Sequence, residues 1–348
     1  MESSTEGRLL IFMRETWLDY SRAYACILVT VGHLIMGLLE AAIIPEPSWA
    51  SAFVDFIYLF HVYIFFFCGG YLFQHKADKW TTTGEMLRYK AVRCFDLLVP
   101  YVFFTAVTYV IKAILSTEVN SQLDDSFIHT LLISPINQMW YLYAAAVIGV
   151  IAPPIRSKRY LLMLGAAALL SKVLTLVPAF MAITPLRFLL ENLIWYVLGM
   201  IWRYCGIRMK PWMAVSVGIA FVGGAFAAEH IVSNRWIEAI LTLLGIISSV
   251  EVIRILSAKR TKTTGIWKWI SKYMLQIYLL HTICAAGIRI ILLRLGMKTP
   301  GIHLVAGAIF SFVIPVLCAM IAERIRMINF VFFPSKTIAY FASRKHAA

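Results

Sequence analysis

Three residues in the first long apolar run have the types and spacing that can do chemistry. Arg22, His33 and Glu40 interrupt the stretch from Asp19 to Glu40, which is otherwise rich in Ala, Ile, Leu, Val and Met. About 20 apolar residues let a helix cross a bilayer core, so ionisable groups inside such a run need partners or a wet cavity. Arg22 and His33 are eleven positions apart, close to three turns, which places both on one helix face about 16 Å apart. Glu40, seven residues beyond His33, falls near the same stripe. A guanidinium is a planar fork for phosphates and carboxylates, and an imidazole gives and takes protons near neutral pH. The blander reading has Arg22 snorkelling at a membrane surface and His33 satisfied by a core hydrogen bond. Taken alone, the stripe does not separate the two.

Further candidates lie in later runs. His61 interrupts Phe-Ile-Tyr-Leu-Phe-His-Val-Tyr-Ile-Phe-Phe-Phe, and a histidine there needs a buried partner. The run ends in Gly69-Gly70-Tyr71-Leu72, where Gly70 reads as a close helix contact. His281 sits midway along Ile-Tyr-Leu-Leu-His, with a core hydrogen bond as its simplest role. Arg88, Lys90 and Arg93 are each ordinary topology determinants taken singly, but as a cluster at a membrane mouth they suit a phosphorylated ligand. Trp140-Tyr141 has the look of an interfacial aromatic belt.

The elements that must position these residues are membrane helices. Hydrophobic residues make up 61% of the 348 and charged ones 14%, against about 25% charged in a soluble domain. This predicts an all-α, polytopic integral membrane protein. About ten spans are expected, near 23–44, 53–73, 95–115, 140–155, 160–176, 188–204, 212–228, 236–256, 270–293 and 303–321. The net charge of +14 is explained by basic loops on one side of a membrane, and no basic segment of a soluble domain points to nucleic acid. Lys and Arg concentrate in alternate short loops, Glu46, Glu118, Asp124, Asp125 and Glu229 in the others, so both termini are expected in the cytoplasm. The protein is then a multi-pass protein of the inner (plasma) membrane. Residues 1–17 lack a signal-peptide pattern. The expected division is a cytoplasmic segment 1–19, a membrane domain 20–323 and a basic cytoplasmic tail 324–348. Six scattered cysteines form no Cys-x-x-Cys pair, so neither a metal site nor a disulfide framework is indicated.

A resemblance draws these features together. Arg22 followed by ten residues and His33 is similar to the first-helix signature of the acyltransferase 3 family, integral membrane acyltransferases that modify cell-surface carbohydrates. Phe60-His61 with Phe65 to Leu72 resembles that family's second helix, in the form of its fucose 4-O-acetylase-like subgroup. The cations leading into Leu97-Leu98-Val99-Pro100-Tyr101 resemble its Arg-x-x-Arg stretch. Met139-Trp140-Tyr141-Leu142, Trp195-Tyr196-Val197-Leu198-Gly199 and Ser271 through His281 resemble its fourth, sixth and ninth helices. Six weak motifs in the right order make a strong resemblance. Two positions depart from it: Gly69 replaces a Ser, and Asp96 stands where the second Arg is usual, leaving Lys90-x-x-Arg93.

The resemblance implies transfer of an acyl group, usually acetyl from acetyl-CoA, to a sugar hydroxyl of a surface polysaccharide or a lipid-linked oligosaccharide. No cofactor is bound; acyl-CoA is a substrate. His33 is then the general base or a transient acyl carrier, with His61 beside it as a second catalytic group or an acceptor contact. Arg22, Arg88, Lys90 and Arg93 bind the donor, while Glu40, Tyr71, Trp140 and His281 complete the pocket. Two other readings stand beside this one: a flippase or transporter of a glycolipid or acylated lipid, and an acyltransferase acting on a small amino sugar or amino acid. Transporters more readily show repeats with Gly- or Pro-broken helices, and no such repeat is apparent.

Overall fold

The computed structural model describes residues 15–118, 120, 123, 125–228 and 234–345, so Asp124, Glu229 and most of the expected N-terminal segment lie outside the described residues. The described residues form helices and their connections, with no strand among them. The first helix, α1 (Thr16–Glu40), is the hub, packing against α2 (Trp49–Tyr58), α3 (Tyr63–Ala77), α11 (Arg235–Leu256), α12 (Gly265–Arg294) and α13 (Pro300–Arg324). No proline interrupts it. It ends where Ala42 turns into the left-handed region at φ 51° ahead of Pro45 and Pro47.

Among the described residues, seven helical segments are long and apolar enough to cross a membrane: α1, the α2–α3 pair, α4 (Thr83–Ile114), α10 (Pro211–Ala228), α11, α12 and α13. The other three expected spans coincide with α6 (Trp140–Ile151), α7 (Lys158–Leu174) and α9 (Thr184–Tyr204). At 1.5 Å per residue, the 12 residues of α6 rise only about 18 Å, well short of a bilayer core. Short helices α5 (Phe127–Leu132) and α8 (Pro178–Met181) sit in the connections, and α14 (Arg326–Phe332) and α15 (Pro334–Lys345) follow α13.

Two segments differ from the sequence expectation. The charged stretch ahead of the third span is not a loop: a capping box between Thr82 and Glu85 starts α4 there, so Arg88, Lys90 and Arg93 ride on a helix. The second span is broken at residues 59–62, between α2 and α3, without glycine or proline. A broken helix is tolerated at membrane depth where protein re-satisfies its backbone. Here Thr242 of α11 donates to the Leu59 carbonyl at 2.7 Å, and His61 donates through Nδ1 to the Ile57 carbonyl at 2.7 Å. Gly245 makes room for the break, since a Cβ there would sit 2.7 Å from Phe60 Cβ.

The rest of the scaffold is held by close backbone contacts and a few buried polar ties. A Cβ on Gly70 would lie 1.8 Å from the Tyr196 carbonyl oxygen, and one on Gly199 1.9 Å from that of Phe67. Helices α3 and α9 therefore meet backbone to backbone, the small-residue packing expected of membrane helices. Buried Glu251 accepts from Trp202 Nε1 at 2.9 Å, from the Met209 amide at 3.0 Å and from Arg254, tying α9, the approach to α10 and α11. Gln74 pairs with both backbone groups of Ile155, at 3.0 and 2.9 Å, fixing the segment after α6.

Candidate active site

The stripe on α1 opens into two cavities, one at each end. At the end rich in Lys and Arg, a cavity of about 1040 Å³ is lined by Arg22, Arg93, Arg260, Lys262, Lys268, Lys272 and Lys336. Two acidic residues, Asp19 and Asp96, share its wall, with Phe65, Tyr141 and Tyr278 at its inner side. Asp19 is buried and holds Arg22 Nη2 at 2.6 Å, fixing the guanidinium, while Arg22 Nε is buried without a partner. Cations converging from α1, α4, α12 and the tail suit a polyanion.

At the opposite end, a cavity of about 400 Å³ is lined by His33, Glu40, Tyr58, Gln138, Trp140, Thr282 and Arg289, among others. His33 Nδ1 lies 2.9 Å from His281 Nε2, and the two rings meet edge to edge, with centroids 5.2 Å apart and planes 10° from parallel. His281 is fully buried, and its Nδ1 lies 2.9 Å from the Ile277 carbonyl oxygen. That carbonyl only accepts, so the network assigns the proton to His281 Nδ1 and leaves His281 Nε2 an acceptor. His33 must then donate through Nδ1, which leaves its own Nε2 lone pair as the base. Sequence and fold cooperate here: three turns of α1 carry the stripe from Arg22 to His33, and an i−4 carbonyl on α12 sets the tautomer.

His61 stands behind this pair. The Tyr58 ring bridges them, 6.1 Å from His33 and 4.7 Å from His61. His61 Nδ1 is used on Ile57, and its Nε2 is buried without a partner. It does not line the cavity. Between the two cavities stands an aromatic plug: Phe65, Tyr141 and Tyr278, with centroids 5.5 to 6.2 Å apart. Tyr278 and Thr282 are one turn apart on α12, so the two cavities approach each other across that turn.

The other expected site residues divide. Arg22 and Arg93 share the basic cavity, and Glu40 and Trp140 share the far one with His33. Lys90 is turned away: its ammonium donates at 2.8 Å to the carbonyls of Val150 and Ala152, closing the end of α6. Arg88 is exposed on α4, off the cavity wall. Tyr71 donates to Glu15 at 3.2 Å and packs edge-on against Trp17, outside both cavities. Gly69 faces the Tyr196 ring, 3.3 Å from where a Cβ would be, so a serine would press on that ring.

Several lining residues carried no local signal. Gln138, buried just before α6, exchanges hydrogen bonds with Thr282 at 2.9 and 3.2 Å, and Tyr278 donates to its carbonyl. Arg289 is buried and donates to the Gly37 carbonyl at 2.7 Å, while Asn120 donates to Glu40 at 2.9 Å. These residues, and the cations at 260–272 and 336, come together only through the tertiary fold. A polar residue inside an apolar helix was the available hint for Arg289.

The model of the acyltransferase 3 family, described as an acyltransferase domain, matches residues 15–320. The chain belongs to that family. The match begins with α1 and ends within α13. Among curated proteins, it resembles the nodulation protein NolL of Mesorhizobium japonicum, at 24% identity over 227 residues. That alignment takes in 60% of this chain and 56% of the relative, so the chain spans little more than half of NolL. No solved structure matches it.

Proposed function

We propose that this acyltransferase moves an acetyl group from acetyl-CoA to a sugar hydroxyl of a surface polysaccharide or its lipid-linked precursor. It does so in the inner membrane, with the basic cavity facing the cytoplasm. The observation that carries the reading is the His33–His281 pair on the wall of one cavity, with a cation-lined cavity at the other end of the same helix.

CoA is a cytoplasmic polyanion, and its phosphates find Arg22 and Arg93 at the basic mouth. Its long pantetheine arm runs along α1 past the aromatic plug, bringing the thioester towards His33. The acceptor enters the far cavity. Sugar hydroxyls are weak nucleophiles, so the attack needs a base: His33 Nε2 takes the hydroxyl proton as the oxygen bonds to the thioester carbon. The tetrahedral intermediate collapses, the carbon–sulfur bond breaks, and the CoA thiolate leaves with the proton held by His33. His281 Nε2 accepts the His33 Nδ1–H throughout and steadies the imidazolium.

The acceptor is tested by mass spectrometry and NMR of surface glycan from strains with and without the gene. Loss of O-acetyl groups on deletion, restored by the wild-type gene and not by His33→Gln, is expected; unchanged glycan would refute the acceptor class. The same Nε2 lone pair would serve an acyl carrier, so purified protein incubated with donor alone should show an unmodified His33 by peptide mass spectrometry. An acetylated His33 would replace the base route with a covalent one.

A further inference from the structure

Asp96 is out of place on the wall of the basic cavity, because a carboxylate beside bound phosphates repels them. The structure gives it other work. Asp96 Oδ1 accepts from the Ser335 amide at 3.0 Å, and Oδ2 accepts from the Ser335 hydroxyl at 2.7 Å. Both oxygens are committed to the first turn of α15, the last helix of the described chain. The next residue is Lys336, whose side chain is exposed, lies 4.8 Å above the Phe333 ring and lines the same cavity.

The tail is docked along α4 at a few further points. Phe332 is buried and packs on Phe104 with centroids 5.4 Å apart, and Thr337 is buried one turn into α15. Packing of this kind is non-directional, and by itself it does not set the rotation of α15 about its axis. Asp96 fixes its register, since two hydrogen bonds to one residue set both position and rotation. One residue of register on a helix turns a side chain by about 100°, enough to carry Lys336 off the cavity.

We propose that Asp96 is a positioning residue: by pinning Ser335 it holds the C-terminal helix where Lys336 joins the cations that bind the donor's phosphates. The segment after residue 325 thereby becomes part of the donor site, although it lies beyond the matched family region. The inference rests on the reading of the basic cavity as the CoA site.

The test is CoA binding to the full chain in lipid nanodiscs, by titration calorimetry. Lys336→Ala should weaken CoA about tenfold, the order expected for one charge-assisted phosphate contact, with Lys336→Arg restoring it. Asp96 gives the decisive sign. If it were only a negative charge on the wall, Asp96→Ala would bind CoA more tightly than wild type. As a positioning residue, Asp96→Ala should bind more weakly, and Asp96→Ala/Lys336→Ala no more weakly than Lys336→Ala alone. With acceptor present, the KM for acetyl-CoA should rise in both single variants while kcat holds. Tighter binding by Asp96→Ala, or wild-type binding by Lys336→Ala, overturns the positioning role and leaves the donor cavity standing. Failure of the wild type to bind CoA overturns both.

Discussion

At the scale of single residues, the proposed chemistry depends on a tautomer. His281 Nδ1 bonded to the Ile277 carbonyl leaves His33 only one way to share its proton with His281, and so frees His33 Nε2. His281→Phe should therefore lower kcat while donor affinity stays at the wild-type level, because the ring it removes touches no part of the basic cavity. His281→Gln offers an amide oxygen to His33 Nδ1 and should recover part of the rate; steady-state kinetics on purified protein checks both. Recovery by Phe equal to that by Gln would mean the pair matters for packing alone. The Arg22 and His33 stripe was legible in the sequence because α-helical periodicity fixes which residues share a face. Lys90 was not: three residues from Arg93 on the same helix, it has the right charge, but the open carbonyls at the end of α6 capture it. Lys90→Ala should accordingly lower thermal stability, with CoA affinity per folded molecule unchanged.

At the scale of elements, the break between α2 and α3 decides where Tyr58 and His61 stand. Nothing in Tyr58-Leu59-Phe60-His61-Val62 announces it, since every residue there fits a continuous helix. The break is written elsewhere, in the hydroxyl of Thr242 and the missing side chain of Gly245 on α11. Thr242→Val would leave the Leu59 carbonyl unpaired at a cost of about 1–3 kcal/mol, and Thr242→Ser should restore it; unfolding in detergent measures both. The contact between α3 and α9 was half legible: Gly70 read as a packing glycine, but its partner carbonyl on Tyr196 belongs to a helix more than a hundred residues away. Gly70→Ala and Gly199→Ala should each destabilise by about 1–3 kcal/mol or more, as overpacking does, because the obstacle is backbone and cannot swing aside.

At the scale of the whole molecule, two cavities lie back to back, separated by an aromatic plug and joined by one helix. Composition and apolar runs made the membrane class legible, while the convergence of Arg260, Lys262, Lys268, Lys272 and Lys336 on Arg22 was not, because only the packed bundle brings those segments together. The sidedness is open to a direct check in a cysteine-free background. Lys262→Cys should react with a membrane-impermeant maleimide only from the cytoplasm, and Asn120→Cys only from the far side; the reverse pattern would invert the proposed route of the donor. The central claim is that His33 removes the acceptor's proton. It is tested most directly by the rate of acetyl transfer from acetyl-CoA to surface glycan in nanodisc-embedded wild type and His33→Ala, with CoA affinity measured on the same samples. Unchanged CoA affinity is expected, with a rate lower by about 100- to 10,000-fold, the share a positioned general base contributes. Transfer by His33→Ala at the wild-type rate would contradict the claim.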